Sequence, residues 1–217
     1  MSLHFLDEDL WFPPVEEAME DGLLAAGGDL STDRLLLAYH NGIFPWYSED
    51  IIPLWWCPDP RFVLFPEELK VSKSMKALLK KDAFTFTTDK AFDQVIFNCQ
   101  QKEREGQDGT WITEEVLEAY TKLHRLGHAH SAEAWQDGKL VGGLYGIRLG
   151  KAFFGESMFS LTSNASKYAF IKYVQQLQQD GVQLIDCQVY TEHLESLGAR
   201  MIPRTDFIQK IKGLTSL

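Results

Sequence analysis

Hydrophobic positions along the chain recur with two different periods, and each period predicts a different element. Apolar residues at helical spacing, between capping residues and glycines, predict helices over 31–41, 72–81, 89–102, 114–126 and about 164–180. Alternating residues predict a strand over 84–87, a three-strand meander over 129–159 and a strand over 182–189. A short helix over 191–198 and a tail strand region over 199–207 complete the prediction. This order predicts an α+β fold, with a mainly antiparallel sheet flanked by helices.

The first 66 residues are different in character from the rest. They hold most of the prolines and four of the six tryptophans, and the stretches that flank the helix over 31–41 are expected to form loops and short strands. Pro53, Pro58 and Pro60 are expected to exclude a central strand in their vicinity. We therefore predict a small aromatic-rich N-terminal domain over 1–66 and a catalytic domain over 67–217, whose element order fits the GNAT-like acyltransferase architecture.

Composition narrows the possible classes of protein. The three cysteines, Cys57, Cys99 and Cys187, are far apart and lack CxxC spacing, which argues against a disulfide framework and a zinc knuckle. The acidic start of the chain does not resemble a signal peptide, and no apolar run reaches membrane-spanning length. We expect a cytoplasmic protein that does not enter a membrane.

The net charge of −10 disfavours nucleic-acid binding unless positive charge is locally concentrated. Such a concentration exists in the helix predicted over 72–81. Lys73, Lys76 and Lys80 fall on one face of it, and no acidic residue lies between Lys70 and Lys81. The lysines are either a solvated face or a contact for phosphates of a nucleic-acid backbone.

Two polar residues interrupt an apolar strand in the sequence LIDCQ. Asp186 and Gln188 are two positions apart and are expected to share one face of the strand, with Ile185 and Cys187 on the other. Burying an acid and an amide requires hydrogen-bonding partners. The pair is either a solvated strand end or satisfied core network, or a base or amine-positioning acid beside a hydrogen-bonding amide.

Two further residues are candidates for ligand contact. Strand alternation is expected to place Glu156 on one face with Phe154 and Met158, where it either pairs with Arg148 across the hairpin or contacts a ligand. Trp111, just before a helix cap, either closes the edge of the core or stacks on a flat ligand such as a base.

Eleven sequence blocks resemble one family closely and in order, the leucyl/phenylalanyl-tRNA–protein transferases. The blocks are FPP, DGLLAAGGDLS, LLLAYHNGIFPWY, WWCPDPR, TWIT, AYTKLHRLGHAHSAEAW, LVGGLYG, FFGESMFS, ASKYAF, LIDCQ and HLESLGA. A small departure is Cys57, where the family pattern leads us to expect Ser. The resemblance implies a small N-terminal domain joined to a GNAT-like domain, and a reaction that needs no metal or coenzyme.

The implied reaction transfers Leu or Phe from its tRNA to an acceptor protein that begins with Arg or Lys. The α-amine of the acceptor attacks the aminoacyl ester, and the added residue marks the acceptor for degradation. In this reading Asp186 engages the attacking amine and Gln188 is its hydrogen-bonding neighbour. We expect the enzyme to be a monomer.

The resemblance also implies a set of substrate-binding residues. The apolar amino-acid pocket is expected to use Leu144, Phe153, Met158 and Ile185, with Tyr173 near it. Residues expected to hold the terminal adenosine or position the aminoacyl end are Trp46, Trp111, Tyr120 and Glu156. Simple alternation turns Ile185 away from Asp186, so a twist or bulge is needed to bring both to one site.

Two rival functions remain open from the sequence. An acetyl-coenzyme A-dependent N-acetyltransferase requires a glycine-containing pyrophosphate loop, but the segment SLTSNAS between the meander and the next helix has no glycine. A non-enzymatic module that binds basic N-termini requires an acidic pocket, but neither the basic helix nor the tryptophans.

Overall fold

The computed structural model describes residues 3–48, 52–102 and 111–216. Its strands, in chain order, are β1 (His4–Leu6), β2 (Leu23–Gly27), β3 (Phe44–Pro45), β4 (Leu54–Trp56), β5 (Arg61–Leu64), β6 (Thr85–Thr88), β7 (Ala129–Gln136), β8 (Lys139–Leu149), β9 (Ala152–Ser160), β10 (Leu184–Gln188) and β11 (Arg200–Ile202). They form a seven-stranded sheet in the order β11-β5-β10-β9-β8-β7-β6 and a four-stranded sheet in the order β1-β2-β4-β3. In the larger sheet only β9 and β10 pair in parallel.

The helices lie on both faces of the larger sheet. They are α1 (Thr32–His40), α2 (Lys73–Lys80), α3 (Phe92–Gln100), α4 (Glu114–Arg125), α5 (Ala165–Gln179), α6 (Glu192–Ser196) and α7 (Arg204–Leu214). Side chains of Ser31, Ser72 and Thr113 accept a backbone N–H at the starts of α1, α2 and α4, which explains where these helices begin. The predicted α+β fold is confirmed by this arrangement.

Buried side chains form two clusters. The first joins the four-stranded sheet, α1, α3, α4 and α7 to one face of the larger sheet. The second joins α2 and α5 to the opposite face. No helix in the described part of the chain is long and apolar enough to cross a membrane.

Two expectations about elements were wrong. Pro53, Pro58 and Pro60 do not prevent central strands, because they stand beside β4 and β5 rather than within them; both strands are paired on two sides. The tail strand ends at Ile202, because Pro203 cannot donate to a strand ladder and the chain then enters α7. The boundary expected after residue 66 stays a prediction, although β5, which precedes it, pairs with β10 and β11 in the larger sheet.

Candidate active site

A cavity of about 520 Å³ lies where the parallel strands β9 and β10 stop pairing. The last paired residues are Phe154 and Asp186, and the walls beyond them include Gly155, Glu156 and Gln188. The N-terminal segment contributes Phe44, Pro45 and Trp46, and the helices α5 and α6 contribute further residues. The site is therefore built by both sheets and by the helices α5 and α6.

A bulge in β9 turns Glu156 toward this cavity. Across from β8, Tyr145 pairs with Ser157 and the next residue along pairs with Gly155, so Glu156 is an extra residue in the strand. The bulge reverses the alternation that follows it. Phe154 packs in the first cluster and Met158 against the second, so the expectation that Phe154, Glu156 and Met158 all share one face was wrong.

A second irregularity occurs in β10. Opposite β5, the register skips between Asp186 and Gln188, and Gln188 has a positive φ of 64°. Ile185, Asp186, Cys187 and Gln188 all contribute to the cavity wall. Ile185 and Cys187 pack in the second cluster, whereas Asp186 turns to Arg61 beside Phe207 of the first, so the expected alternation of these three residues holds.

Asp186 is an anion held by a buried guanidinium. Arg61 donates from Nε to Oδ1 at 2.8 Å and from Nη2 to Oδ2 at 2.7 Å, and the backbone N–H of Gln188 donates to Oδ1 at 2.9 Å. Both ion-pair partners are 0% exposed. Although burial lowers the pKa of Arg61, the carboxylate of Asp186 raises it to a net value above the ordinary one.

Two aromatic rings enclose this ion pair. The guanidinium of Arg61 lies 4.7 Å from the ring centroid of Phe44 and 4.6 Å from that of Phe207. Sequence reasoning missed Arg61. Two features of the sequence point to Arg61. A buried Asp186 needs a cationic partner, and the block WWCPDPR places an arginine at the start of an apolar strand.

Glu156 has a different environment, in which the hydrogen-bond donors are neutral. Oε1 accepts from Tyr39 Oη at 2.8 Å and from Gln188 Nε2 at 2.9 Å, while Oε2 accepts from Tyr120 Oη at 3.3 Å. The hydroxyls of Tyr39 and Tyr120 also hydrogen-bond to each other. Burial raises the pKa of Glu156 to about 8. Sequence reasoning missed Tyr39, which α1 contributes from the N-terminal part of the chain.

The alternative pairing of Glu156 with Arg148 is absent from the described part of the structure. Arg148 lies opposite Phe153 in the β8–β9 ladder and instead pairs with Asp180, with Nη1 and Oδ2 3.1 Å apart. The bulge separates Glu156 from the position across the hairpin that simple alternation suggests.

Some of the expected substrate-binding residues line the wall of the cavity, and the others lie outside that wall. Trp46, Trp111, Leu144, Glu156, Met158 and Ile185 line the cavity. Phe153 and Tyr173 lie outside the wall and pack edge-to-face, with centroids 5.2 Å apart. Tyr120 is also buried outside the wall and reaches the site through Glu156. Phe170 of α5 and His193 of α6 line the cavity but were not predicted.

The predicted basic patch lies apart from the cavity. Lys73, Lys76 and Lys80 of α2 are exposed and are not part of the cavity wall. In the described ranges, none of the three has a carboxylate at ion-pair distance. Those ranges also contain no cluster of three or more His, Cys, Asp or Glu residues that could hold a metal ion.

Comparison with known proteins identifies the class of this chain. A profile described as "Leucyl/phenylalanyl-tRNA protein transferase" matches residues 63–212, and the profile of that family's N-terminal domain matches residues 28–59. The chain is therefore an aminoacyltransferase. A leucyl/phenylalanyl-tRNA–protein transferase of Flavobacterium johnsoniae is 57% identical over 211 residues, covering 97% of this chain and 100% of the relative. One of Syntrophus aciditrophicus is 59% identical over 201 residues, covering 93% and 84%. The chain belongs to the leucyl/phenylalanyl-tRNA–protein transferase family, which confirms the resemblance read from the sequence.

Solved structures show a looser similarity. L-PGS from Bacillus licheniformis is 13% identical, with a TM-score of 0.41, over 72% of this chain and 51% of that chain. A GCN5-related N-acetyltransferase from Kribbella flavida is 10% identical, with a TM-score of 0.39, over 75% of this chain and 57% of that chain.

Proposed function

We propose that this enzyme transfers Leu or Phe from an aminoacyl-tRNA to the N-terminal residue of an acceptor protein by ester aminolysis. The observation that carries the proposal is one cavity in which an apolar wall, two tryptophans and hydrogen-bonded carboxylates meet. The aminoacyl ester is already activated, so the enzyme needs to hold two substrates in line and move a proton.

The wall of the cavity suits an aminoacyl-adenosine. Trp46 and Trp111 offer flat rings to the terminal adenine, and Trp46 is 37% exposed. Leu144, Met158 and Ile185 offer an apolar surface for the transferred side chain. A pocket of this kind discriminates between apolar side chains by only about 1–3 kcal/mol of transition-state binding free energy. We therefore expect it to accept more than one apolar amino acid, Met included.

Asp186 acts as a fixed anion and Gln188 as the group that meets the amine. Both oxygens of Asp186 are bound by Arg61, and Oδ1 also holds the backbone of Gln188. The side-chain Nε2 of Gln188 donates to Glu156. The side-chain oxygen of Gln188, Oε1, accepts no hydrogen bond from the described residues. That oxygen is therefore available to accept a hydrogen bond from the attacking α-amine.

Charge distribution supports the choice of macromolecular partners. The exposed lysines of α2 suit the phosphates of the tRNA acceptor stem. Glu192 and Glu195 are exposed on α6, whose His193 and Leu194 line the cavity, and they suit a basic first residue of the acceptor. The proposal takes the acceptor to begin with Arg or Lys, the enzyme to act as a monomer in the cytoplasm, and the product to be marked for degradation.

One experiment separates this function from its rivals. Purified enzyme is mixed with tRNA charged with labelled Leu and with a peptide that begins with Arg; a peptide beginning with Glu is the control. We expect label on the first peptide alone. Label from acetyl-coenzyme A instead of the tRNA would indicate an acetyltransferase, and binding of the peptide without transfer would indicate a non-enzymatic module.

A further inference from the structure

Two carboxylates stand in the cavity wall formed by the described residues, and they differ in their partners. Arg61 binds Asp186 through two hydrogen bonds, so protonation of Asp186 breaks a buried ion pair. Glu156 is bound by the hydroxyls of two tyrosines and by an amide, all of them neutral. Within the described ranges, no cationic side chain is at ion-pair distance from Glu156. Glu156 can therefore gain and lose a proton without leaving a buried cation alone.

We propose that Glu156 is the catalytic residue that carries the proton during aminoacyl transfer, and that Tyr39 of α1 is the residue that positions it. The inference rests on the function proposed above and assigns the proton to a group in that site. Gln188 links the proposed amine site to the proton carrier Glu156, because its Nε2 donates to the same oxygen of Glu156 that accepts from Tyr39.

The step balances with Glu156 as the only acid and base. The lone pair of the acceptor's α-amine attacks the ester carbonyl carbon, the C–N bond forms and the carbonyl electrons move to oxygen. The carboxylate of Glu156 takes one proton from the new ammonium. When the tetrahedral intermediate collapses, the C–O bond to the ribose breaks and Glu156 gives that proton to the departing oxygen. Ester and amine become amide and hydroxyl, and Glu156 ends as a carboxylate.

The surroundings of Glu156 match it to an amine. Burial raises its pKa to about 8, against hydrogen bonds from Tyr39, Gln188 and Tyr120 that lower it. An N-terminal α-amine titrates near pH 8 as well, and proton transfer is efficient between groups of similar pKa. The charge of Asp186 on β10 also raises the pKa of Glu156. Arg61 on β5 is a cation close to Glu156, and Lys102 and His193 also line the cavity.

Tyr39 brings the N-terminal part of the chain to the reacting group. Its side chain is 0% exposed, and its ring lies 5.2 Å from that of Phe154 in β9, which fixes the direction of the hydroxyl. Removing this donor leaves the carboxylate of Glu156 with fewer hydrogen bonds and raises its pKa further. Because the reaction requires the deprotonated form of Glu156, a higher pH is then needed to reach the same rate.

The test measures single-turnover transfer of Leu to an Arg-starting peptide between about pH 6 and pH 9, a range that spans the titration of both groups. We expect Glu156→Gln to lose about 10²–10⁴-fold in rate, the usual contribution of a positioned acid or base. We expect Tyr39→Phe to move the inflection of the pH profile up by about one unit and to regain most of the rate at high pH. The acceptor amine titrates identically in every variant, so a difference between profiles belongs to the enzyme.

Tyr47→Phe is the matched control, because it removes another buried hydroxyl, which bonds to Glu115 at 3.5 Å instead of Glu156. We expect its pH profile to coincide with that of the wild type. Transfer by Glu156→Gln within about tenfold of wild type, or an unchanged profile in Tyr39→Phe, would overturn the inference. Tyr39→Phe decides alone if Glu156→Gln does not fold. Absence of transfer by the wild type would refute the proposed function instead.

Discussion

Replacement of Asp186 by Ala should lower the stability of the folded protein as well as its activity. The substitution leaves the guanidinium of Arg61 buried without an anion, since both residues are 0% exposed and two hydrogen bonds of 2.8 and 2.7 Å are lost. The rings of Phe44 and Phe207 remain in place, but cation–π contacts do not substitute for a charge partner.

Breaking one side of a buried ion pair costs about 3–5 kcal/mol, a large part of the roughly 5–15 kcal/mol that stabilises a typical domain. We expect a loss of that size in the free energy of unfolding, measured by urea denaturation followed by tryptophan fluorescence. The matched control is Asp180→Ala, which removes a partly exposed ion pair with Arg148. Its expected cost is below about 1 kcal/mol.

A double variant separates stability from chemistry. Arg61→Met combined with Asp186→Leu replaces the ion pair by apolar side chains, and such replacements are often neutral for stability. We expect it to recover most of the lost stability while transfer stays slow, because the backbone of Gln188 has lost its acceptor. The reasoning would be refuted if the free energy of unfolding of Asp186→Ala lay within about 1 kcal/mol of the wild-type value. A double variant that transferred Leu at the wild-type rate would refute it as well.

Three further variants test the cavity wall and the basic patch. Met158→Ala should lower kcat/KM for leucyl and phenylalanyl donors alike by roughly 5–150-fold, as pocket contacts worth about 1–3 kcal/mol imply; unchanged values would remove Met158 from the pocket. Trp111→Ala should weaken binding of an aminoacyl-adenosine by a similar factor, since stacking on one base is worth about 1–3 kcal/mol; calorimetry checks this, and unchanged affinity would contradict a stacking role. Changing Lys76 and Lys80 to Ala should flatten the slope of log affinity for tRNA against log salt by up to about two and leave transfer from an aminoacyl-adenosine unchanged; a full slope would make the lysines a solvated face.

The sequence predicted the elements whose signals are local. Helix starts at Ser31, Ser72 and Thr113 are marked by a capping side chain, and the meander is marked by alternation and by the turn at Asp137 and Gly138. The helix α7 was missed, since a few strand-like residues before Pro203 suggested that the strand continued.

The candidate site was predicted only in part, because its geometry depends on two bulges and on distant contacts. An inserted residue leaves no mark in a two-residue period, so the bulge at Glu156 and the irregularity before Gln188 could not be read from alternation. Tyr39 and Arg61 reach their carboxylates across separations of 117 and 125 residues. Only the folded chain shows which tyrosine and which arginine satisfy those buried acids.

The enclosure of Arg61 has a consequence for biosynthesis. Its guanidinium contacts Phe44, which is synthesised early. It also contacts Asp186 and Phe207 of α7, which are synthesised late. A ribosome-bound chain whose α7 is still inside the exit tunnel lacks one wall of this enclosure. The ion pair that holds the backbone of Gln188 therefore gains its full surroundings only after α7 has left the tunnel.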